Sequence, residues 1–286
     1  MRDEATTPVS AALRALRPGA DDDDAGHARA FAAIAELLLH RTTLHIAGQA
    51  YRLTELEFYW DGPGHRDPFT HGDPNQRVTG TWYFHRERGG AYKGGSFKGV
   101  DISVGDAETP AGVLIRGARG ADGAVLDGSC VFVDHVLART GSGSIAALAG
   151  RFDGSVDSPG GDSPVYLRLA PPGERARIVA TPRVGLTLKK GATPERQRFI
   201  ARGYRFLCEP RAIKKGKPHI VVGLHREGLA ADEIAAESGV SRTHVDRYLA
   251  AYRAGAQRDP ASFPGDPGPL ELCGLFGACD RLWPAV

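Results

Sequence analysis

The sequence predicts an α+β fold: a mixed, mainly antiparallel β-sheet body with peripheral helices, followed by a small C-terminal helical module. Three observations carry that expectation. Residues 50–137 hold short apolar runs separated by Gly- and Asp-rich turns, the spacing of an antiparallel or mixed sheet. Ahead of them, Phe31, Ile34, Leu37 and Leu38 recur at helical spacing within residues 25–40. Near the end, LHREGLAADEIAAESGVSRTHVDRYLAAY reads as helix, helix, turn, helix.

Composition bounds the problem. A chain of 286 residues holds one large domain, or one domain plus an appendage. Its 24% charged and 42% hydrophobic residues are ordinary for a soluble globular protein. No apolar run approaches a membrane span, and no basic-then-apolar leader opens the chain, so no membrane partner and a cytoplasmic location are expected. Cys130, Cys208, Cys273 and Cys279 form no CxxC pair, which argues for a reducing compartment and against a zinc ribbon or disulfide framework. No metal or cofactor is expected. Net charge is only +2, but residues 173–217 carry thirteen Lys or Arg against three Glu, a local balance of +10. Such a block suits a polyanion, or alternatively a solubilising surface.

In chain order, residues 1–24 read as a flexible acidic arm ending at Asp21–Asp24, carboxylates that also suit the N-terminus of the next helix. The body runs from 25 to 210. Strands are expected at 51–60, 80–86, 97–104, 112–117 and 130–137, then a loop over 140–163, then strands near 164–169, 176–179 and 184–188. Residues 211–258 form the helix-turn-helix module. Ala235, Gly239, Val240 and Val245 sit at its small, turn and core positions, with Ser241 as cap of a helix presenting Arg242, Thr243, His244 and Arg247. Residues 259–286 read as a loop-rich tail docking through Leu270, Leu272, Leu275, Phe276 and Trp283.

Residues 51–71, YRLTELEFYWDGPGHRDPFTH, carry the chemistry. Strand alternation puts Leu56, Phe58 and Trp60 on one face and Glu55, Glu57 and Tyr59 on the other, beside a loop with His65 and His71. Carboxylate, ring and imidazole on one face equip a polar site; a half-exposed strand with solvated glutamates is the other reading. The sorting recurs downstream. In TWYFH, Tyr83 and His85 oppose Trp82 and Phe84, and Asp101 opposes Val100, Ile102 and Val104.

Taken in order, RLTELEFY, DPFTHG, GTWYFH, GVDI, GVLIRGAR, ATPRVGL and ARGYRFL resemble the motifs of the mammalian-type alkyladenine (3-methyladenine) DNA glycosylases, over roughly residues 50–207. The resemblance implies a curved sheet that flips a base from DNA and hydrolyses its glycosidic bond. Glu57 matches the catalytic glutamate, Tyr59 a ring stacking on the extruded base, His71 a pocket histidine and Tyr83 a pocket aromatic. No Lys stands at the catalytic position, so a monofunctional enzyme leaving an abasic site is expected. His85 departs from a second stacking aromatic. Asp101 departs from an asparagine that discriminates among purines; beside Glu57 it is a second candidate catalytic carboxylate. The resemblance makes Tyr92, flanked by Arg86, Arg88 and Lys93, the candidate wedge for the gap in the duplex, with Arg88 as second choice. Lys98, Arg116 and Arg183 are expected at the DNA backbone.

The function so implied is a monofunctional DNA N-glycosylase acting on double-stranded DNA with a modified base, as a monomer associated with the nucleoid through DNA. Its use would be base-excision repair, or anti-phage defence against hypermodified bases such as glucosylated hydroxymethylcytosine. The alternatives are a non-catalytic DNA-binding regulator on the same fold and an RNA-directed protein.

Overall fold

A computed structural model describes residues 8–19, 22–87, 90–151, 154–158, 163–171 and 176–284. It divides into two units, residues 1–65 with 70–176 and residues 66–69 with 177–286. The expected helix-turn-helix module at 211–258 lies within the second unit, which also takes in residues 177–210.

In the first unit, part of the expected flexible arm is a docked helix. In α1 (Val9–Leu16), Val9 and Leu13 are one turn apart and fully buried. The backbone N–H groups of Val9 and Ser10 donate to the Asp157 carboxylate at 2.8 and 3.3 Å, satisfying two of the helix's open donors. Helix α2 (Asp24–His40) starts where the acidic run predicts, with the Asp23 carboxylate accepting from the Gly26 N–H at 2.8 Å. Its apolar stripe packs on the sheet, and Phe31 stacks on Phe58 with centroids 5.0 Å apart.

The sheet follows as β1 (Thr42–Ile46), β2 (Gln49–Gly62), β3 (His65–Arg66), β4 (Trp82–Phe84), β5 (Val100–Ser103), β6 (Ala111–Gly120), β7 (Val125–Asp127) and, later, β8 (Val165–Leu169). Its spatial order is β4-β5-β6-β2-β1-β8, with β7 on the far half of β6, and these pairs are antiparallel. The α+β expectation holds. The central β2–β6 pair slips register twice: Leu53 faces Ala118, Glu55 faces Gly117 and Leu56 faces Ile115. An extra residue lets a strand skip one alternation of faces. Leu53 and Leu56, three apart, are thus both fully buried with Phe58.

Residues 130–137, expected as a strand, belong to helix α3 (Ser129–Thr140). Its β-branched run imitates alternation, but Phe132, Val133 and Val136 are buried at helical spacing while Val131 is 43% exposed. Gly141, left-handed at φ 65°, ends it. A short helix α4 (Ile145–Ala149) lies within the expected loop.

In the second unit, β9 (Val179–Thr181) pairs antiparallel with β10 (Arg205–Leu207), and α5 (Pro194–Ile200) lies between them in sequence. Residues 184–188 form no strand; Leu188 is buried, and its N–H donates to the Gly265 carbonyl. Helices α6 (Lys217–Arg226), α7 (Ala231–Ser238) and α8 (Arg242–Gly255) follow, with Gly239 at φ 67° turning α7 into α8 as the helix-turn-helix pattern requires. Val245 and Leu249 enter a core with Ile220, Leu224 and Ile234. Ser241 does not cap α8; its hydroxyl bonds His244 Nδ1 at 2.7 Å instead.

The tail, expected to be loop-rich, contains α9 (Pro269–Leu282), with Leu275 and Phe276 fully buried and Leu270 38% exposed. Two glycines bring α8 and α9 together backbone to backbone. A Cβ on Gly255 would stand 2.0 Å from the Gly274 carbonyl oxygen, and one on Gly277 2.0 Å from that of Tyr252. Among the described residues no helix is long and apolar enough to cross a membrane, and all four cysteines are free thiols.

The basic block is largely spent inside this unit. Arg205 is fully buried and reaches Thr181 Oγ1 and the Lys215 carbonyl. Arg177 pairs with Glu227 and Glu237, and Lys217 donates to the carbonyls of Pro210, Arg211 and Ser238. Gly277→Val must push α9 off α8, and overpacking of this kind costs about 1–3 kcal/mol. Equilibrium denaturation should show a lower midpoint than for Ala254→Val on the exposed face.

Candidate active site

Opposite the Phe58 face of β2, Glu55 and Glu57 are fully buried. Two carboxylates out of water need a counter-charge, and the register slip supplies one. Arg116 is the extra residue on β6, a position that re-aims a side chain. Its Nε lies 2.8 Å from Glu55 Oε1 and 3.3 Å from Glu57 Oε1. Burial disfavours the Arg116 cation, but the charges of Glu57 and Glu55 outweigh it and raise its pKa. Tyr59 donates its hydroxyl to Glu57 Oε2 at 2.9 Å. Arg116 is therefore not a DNA-backbone contact; it is the internal partner of the candidate catalytic carboxylate.

Cross-strand pairing extends this face. Glu57 faces Leu114, Leu114 faces Asp101, and Asp101 faces Tyr83. Directly paired residues project to the same side, so Glu57, Asp101 and Tyr83 emerge in one row, with Glu57 and Asp101 ~10 Å apart at two strand spacings. Asp101 is buried and accepts from Gln76 Nε2 at 2.9 Å and His85 Nε2 at 2.7 Å. The His71 ring stands edge-on to His85 with centroids 4.3 Å apart, and Tyr83 lies 5.7 Å from His85. Lys93 Nζ donates to His71 Nε2 at 3.1 Å, which leaves the His71 proton on Nδ1, toward the Tyr83 oxygen at 3.5 Å. Desolvation of the ring, then the neighbouring His85, push the His71 pKa down to about 4, against the pull of Asp101. His71 is neutral at physiological pH. Burial first, then Asp73 and Asp101, raise the Tyr83 phenol, which stays protonated.

Other expected site residues lie elsewhere. His65 is fully buried on the core side, stacked on His27 at 4.3 Å; burial, then His27, lower its pKa to about 3. Tyr92 is half-buried, with the Arg86 guanidinium 4.5 Å over its ring and Phe84 at its edge, so it is no free wedge. Arg88 lies outside the described residues. Lys98 pairs with Asp134. Arg183 is fully buried in the second unit, donating to both oxygens of Asp67 at 2.6 and 3.2 Å; it is a structural ion pair, not a DNA contact. On α8, Arg242, Thr243, His244 and Arg247 are exposed, and Arg242 pairs with Asp232 and Asp246.

Gln76 escaped the sequence reading because nothing local marks it. It is the third residue of a 3-10 turn, Pro74–Arg77, whose capping box with Asp73 aims it inward. Among the described residues no group of three His, Cys, Asp or Glu side chains could hold a metal ion.

Arg116→Met leaves two buried carboxylates uncompensated and should destabilise by about 3–5 kcal/mol in equilibrium denaturation at neutral pH. Stability should also fall as pH drops from about 6.5 toward about 3. His71 and His65 are depressed in the folded state, so over that window the unfolded chain binds more protons. His65→Phe should flatten the lower part of this decline.

No protein-family model matches the chain. An uncharacterized protein of Acanthamoeba polyphaga mimivirus is 34% identical over 198 residues, covering 64% of this chain and 88% of the viral protein. The chain therefore belongs to the same family as that mimivirus protein.

Proposed function

We propose that the protein is a monofunctional DNA glycosylase that takes a modified base out of the duplex and hydrolyses its glycosidic bond, leaving an abasic site. The observation that carries this reading is Glu57: a fully buried carboxylate, paired with Arg116 and Tyr59, in one row with the Asp101 and Tyr83 side chains. A burial this deep excludes the reading of a solvated strand glutamate. Cleavage of a glycosidic bond places positive charge on the sugar and needs a water to be deprotonated, and a carboxylate serves both tasks. Arg116 and the Tyr59 hydroxyl fix the Glu57 rotamer, so the carboxylate is oriented before substrate arrives. The rings of Tyr59 and His71 offer flat surfaces that replace part of the lost base stacking.

The wedge role falls better to Phe97 than to Tyr92. Phe97 is 75% exposed at the end of a short turn, Gly95–Phe97, between Lys93 and Lys98. An exposed large apolar side chain flanked by cations suits insertion between base steps. In the second unit, α8 adds exposed Arg247, Thr243 and His244 as DNA contacts. The reading covers repair of damaged bases and defence against DNA with hypermodified bases alike, because both use the same hydrolysis.

Glu57→Gln should lower single-turnover excision by about 10²–10⁴-fold, while Phe97→Ala weakens duplex affinity and leaves the folded stability unchanged. Arg247→Ala should reduce the slope of log affinity against log salt by about 1. A wild-type protein that releases no base from duplexes with 7-methylguanine, hypoxanthine, 5-hydroxymethylcytosine or its glucosylated form would overturn the reading. Full activity in Glu57→Gln would do the same.

A further inference from the structure

The proposed reaction needs a fate for the electron pair that leaves with the base. Cationic alkylated purines accept it without help. An uncharged base must be protonated as the bond breaks, or leave as an anion. The site contains a group that Glu57 chemistry does not use: half-buried His85 paired with buried Asp101, with His85 Nε2 2.7 Å from Asp101 Oδ1. Two glycines shape it. A Cβ on Gly112 would stand 2.5 Å from Asp101 Oδ2 and 2.9 Å from Gln76 Nε2, so only glycine lets Asp101 lean into its place. A Cβ on Gly99 would stand 2.6 Å from His85 Nδ1, so the missing side chain keeps that nitrogen uncovered. Among the described residues Nδ1 has no hydrogen-bond partner, while Asp101 and the Gln76 amide hold the ring and its carboxylate in register. An imidazole oriented by a carboxylate through one nitrogen and open at the other is the equipment of a general acid.

We propose that His85 is the proton donor to the departing base, that Asp101 is its positioning residue, and that the substrates are uncharged modified bases and not cationic alkylpurines. The inference rests on the glycosylase reading above. In the step, the C1′–N bond breaks and its electron pair passes into the base. The His85 imidazolium gives its Nδ1 proton to a ring nitrogen or carbonyl oxygen of the base. The oxygen of water bonds to C1′, and the water's proton goes to Glu57. Base, abasic deoxyribose, neutral His85 and protonated Glu57 result; solvent then exchanges the proton from Glu57 and recharges His85. The ~10 Å between Glu57 and Asp101 along the row suits a nucleoside whose sugar lies at the first and whose base edge lies at the second. The other titratable groups around His85 are His71 and Asp73 before β4, Tyr83 on β4, and Lys93 and Arg86 after it.

Single-turnover excision on duplexes containing hypoxanthine, 5-hydroxymethylcytosine, glucosylated 5-hydroxymethylcytosine or 7-methylguanine, measured against pH, tests this. Wild-type protein should release at least one uncharged base, at a rate that falls as pH rises, as a reaction needing a protonated acid does. His85→Phe should lose at least 100-fold on that base with its pH dependence flattened, and change 7-methylguanine release, where present, by only a few fold. Asp101→Asn, which frees the ring to turn, should lower the rate on that uncharged base and leave 7-methylguanine release, where present, within a few fold. Release of 7-methylguanine alone would overturn the substrate class, and a His85→Phe variant with unchanged rate and pH profile would overturn the acid role; either leaves the glycosylase reading standing. No release from any duplex would sink that reading itself, and this inference with it.

Discussion

Arg116 lies between Glu55 and Glu57 with its Nε within 3.3 Å of both carboxylates, and the polar face of the sheet is arranged around that contact. Neither glutamate is tolerable in a dry interior alone, and a guanidinium alone there is no better. Together they hold a net negative charge that Tyr59 further fixes through its hydroxyl. The pairing requires the register of β2 and β6 to slip and recover within a few residues, because only as an extra residue does Arg116 turn toward the glutamates. The same slips keep Leu53 and Leu56 in the core. Core packing and site geometry thus depend on one local irregularity, and neither can be altered without the other.

The strand at 51–60 was legible because its alternation is strict where it matters. Leu56, Phe58 and Trp60 are buried on one face, and Glu55, Glu57 and Tyr59 share the other. The irregularity itself was not legible. No residue type announces a bulge at Thr54 or Arg116, so Arg116 read as a surface cation when its environment is a buried carboxylate pair. Arg183 misled in the same way, and its counter-ion, Asp67, lies 116 residues away in sequence. Long-range ion pairs leave no periodic signal. The run at 130–137 failed for a different reason: Val131 and Val133 alternate as in a strand over so short a span, while burial of Phe132, Val133 and Val136 at helical spacing decides for the helix.

The charge of the chain teaches a related lesson. Thirteen cations in residues 173–217 look like a polyanion footprint. Yet Arg183, Arg202 and Arg205 are buried, Arg177 is paired, and Lys217 caps three carbonyls. Local density of Lys and Arg measured structural demand in the second unit as much as any outside partner. Other cations of the second unit are exposed, among them Arg247 on α8. In the first unit, Lys93 adjoins the histidines and the exposed Phe97 lies four residues on.

In the proposed reaction, Glu57 sits where positive charge grows on the sugar. Affinity for duplexes with a cationic pyrrolidine in place of one nucleoside, compared with the neutral tetrahydrofuran analogue, measures that charge preference without relying on turnover. Wild-type protein should bind the pyrrolidine duplex at least tenfold more tightly, and Glu57→Gln should lose the preference. Equal affinity for the two duplexes, or a preference that survives the substitution, would contradict it.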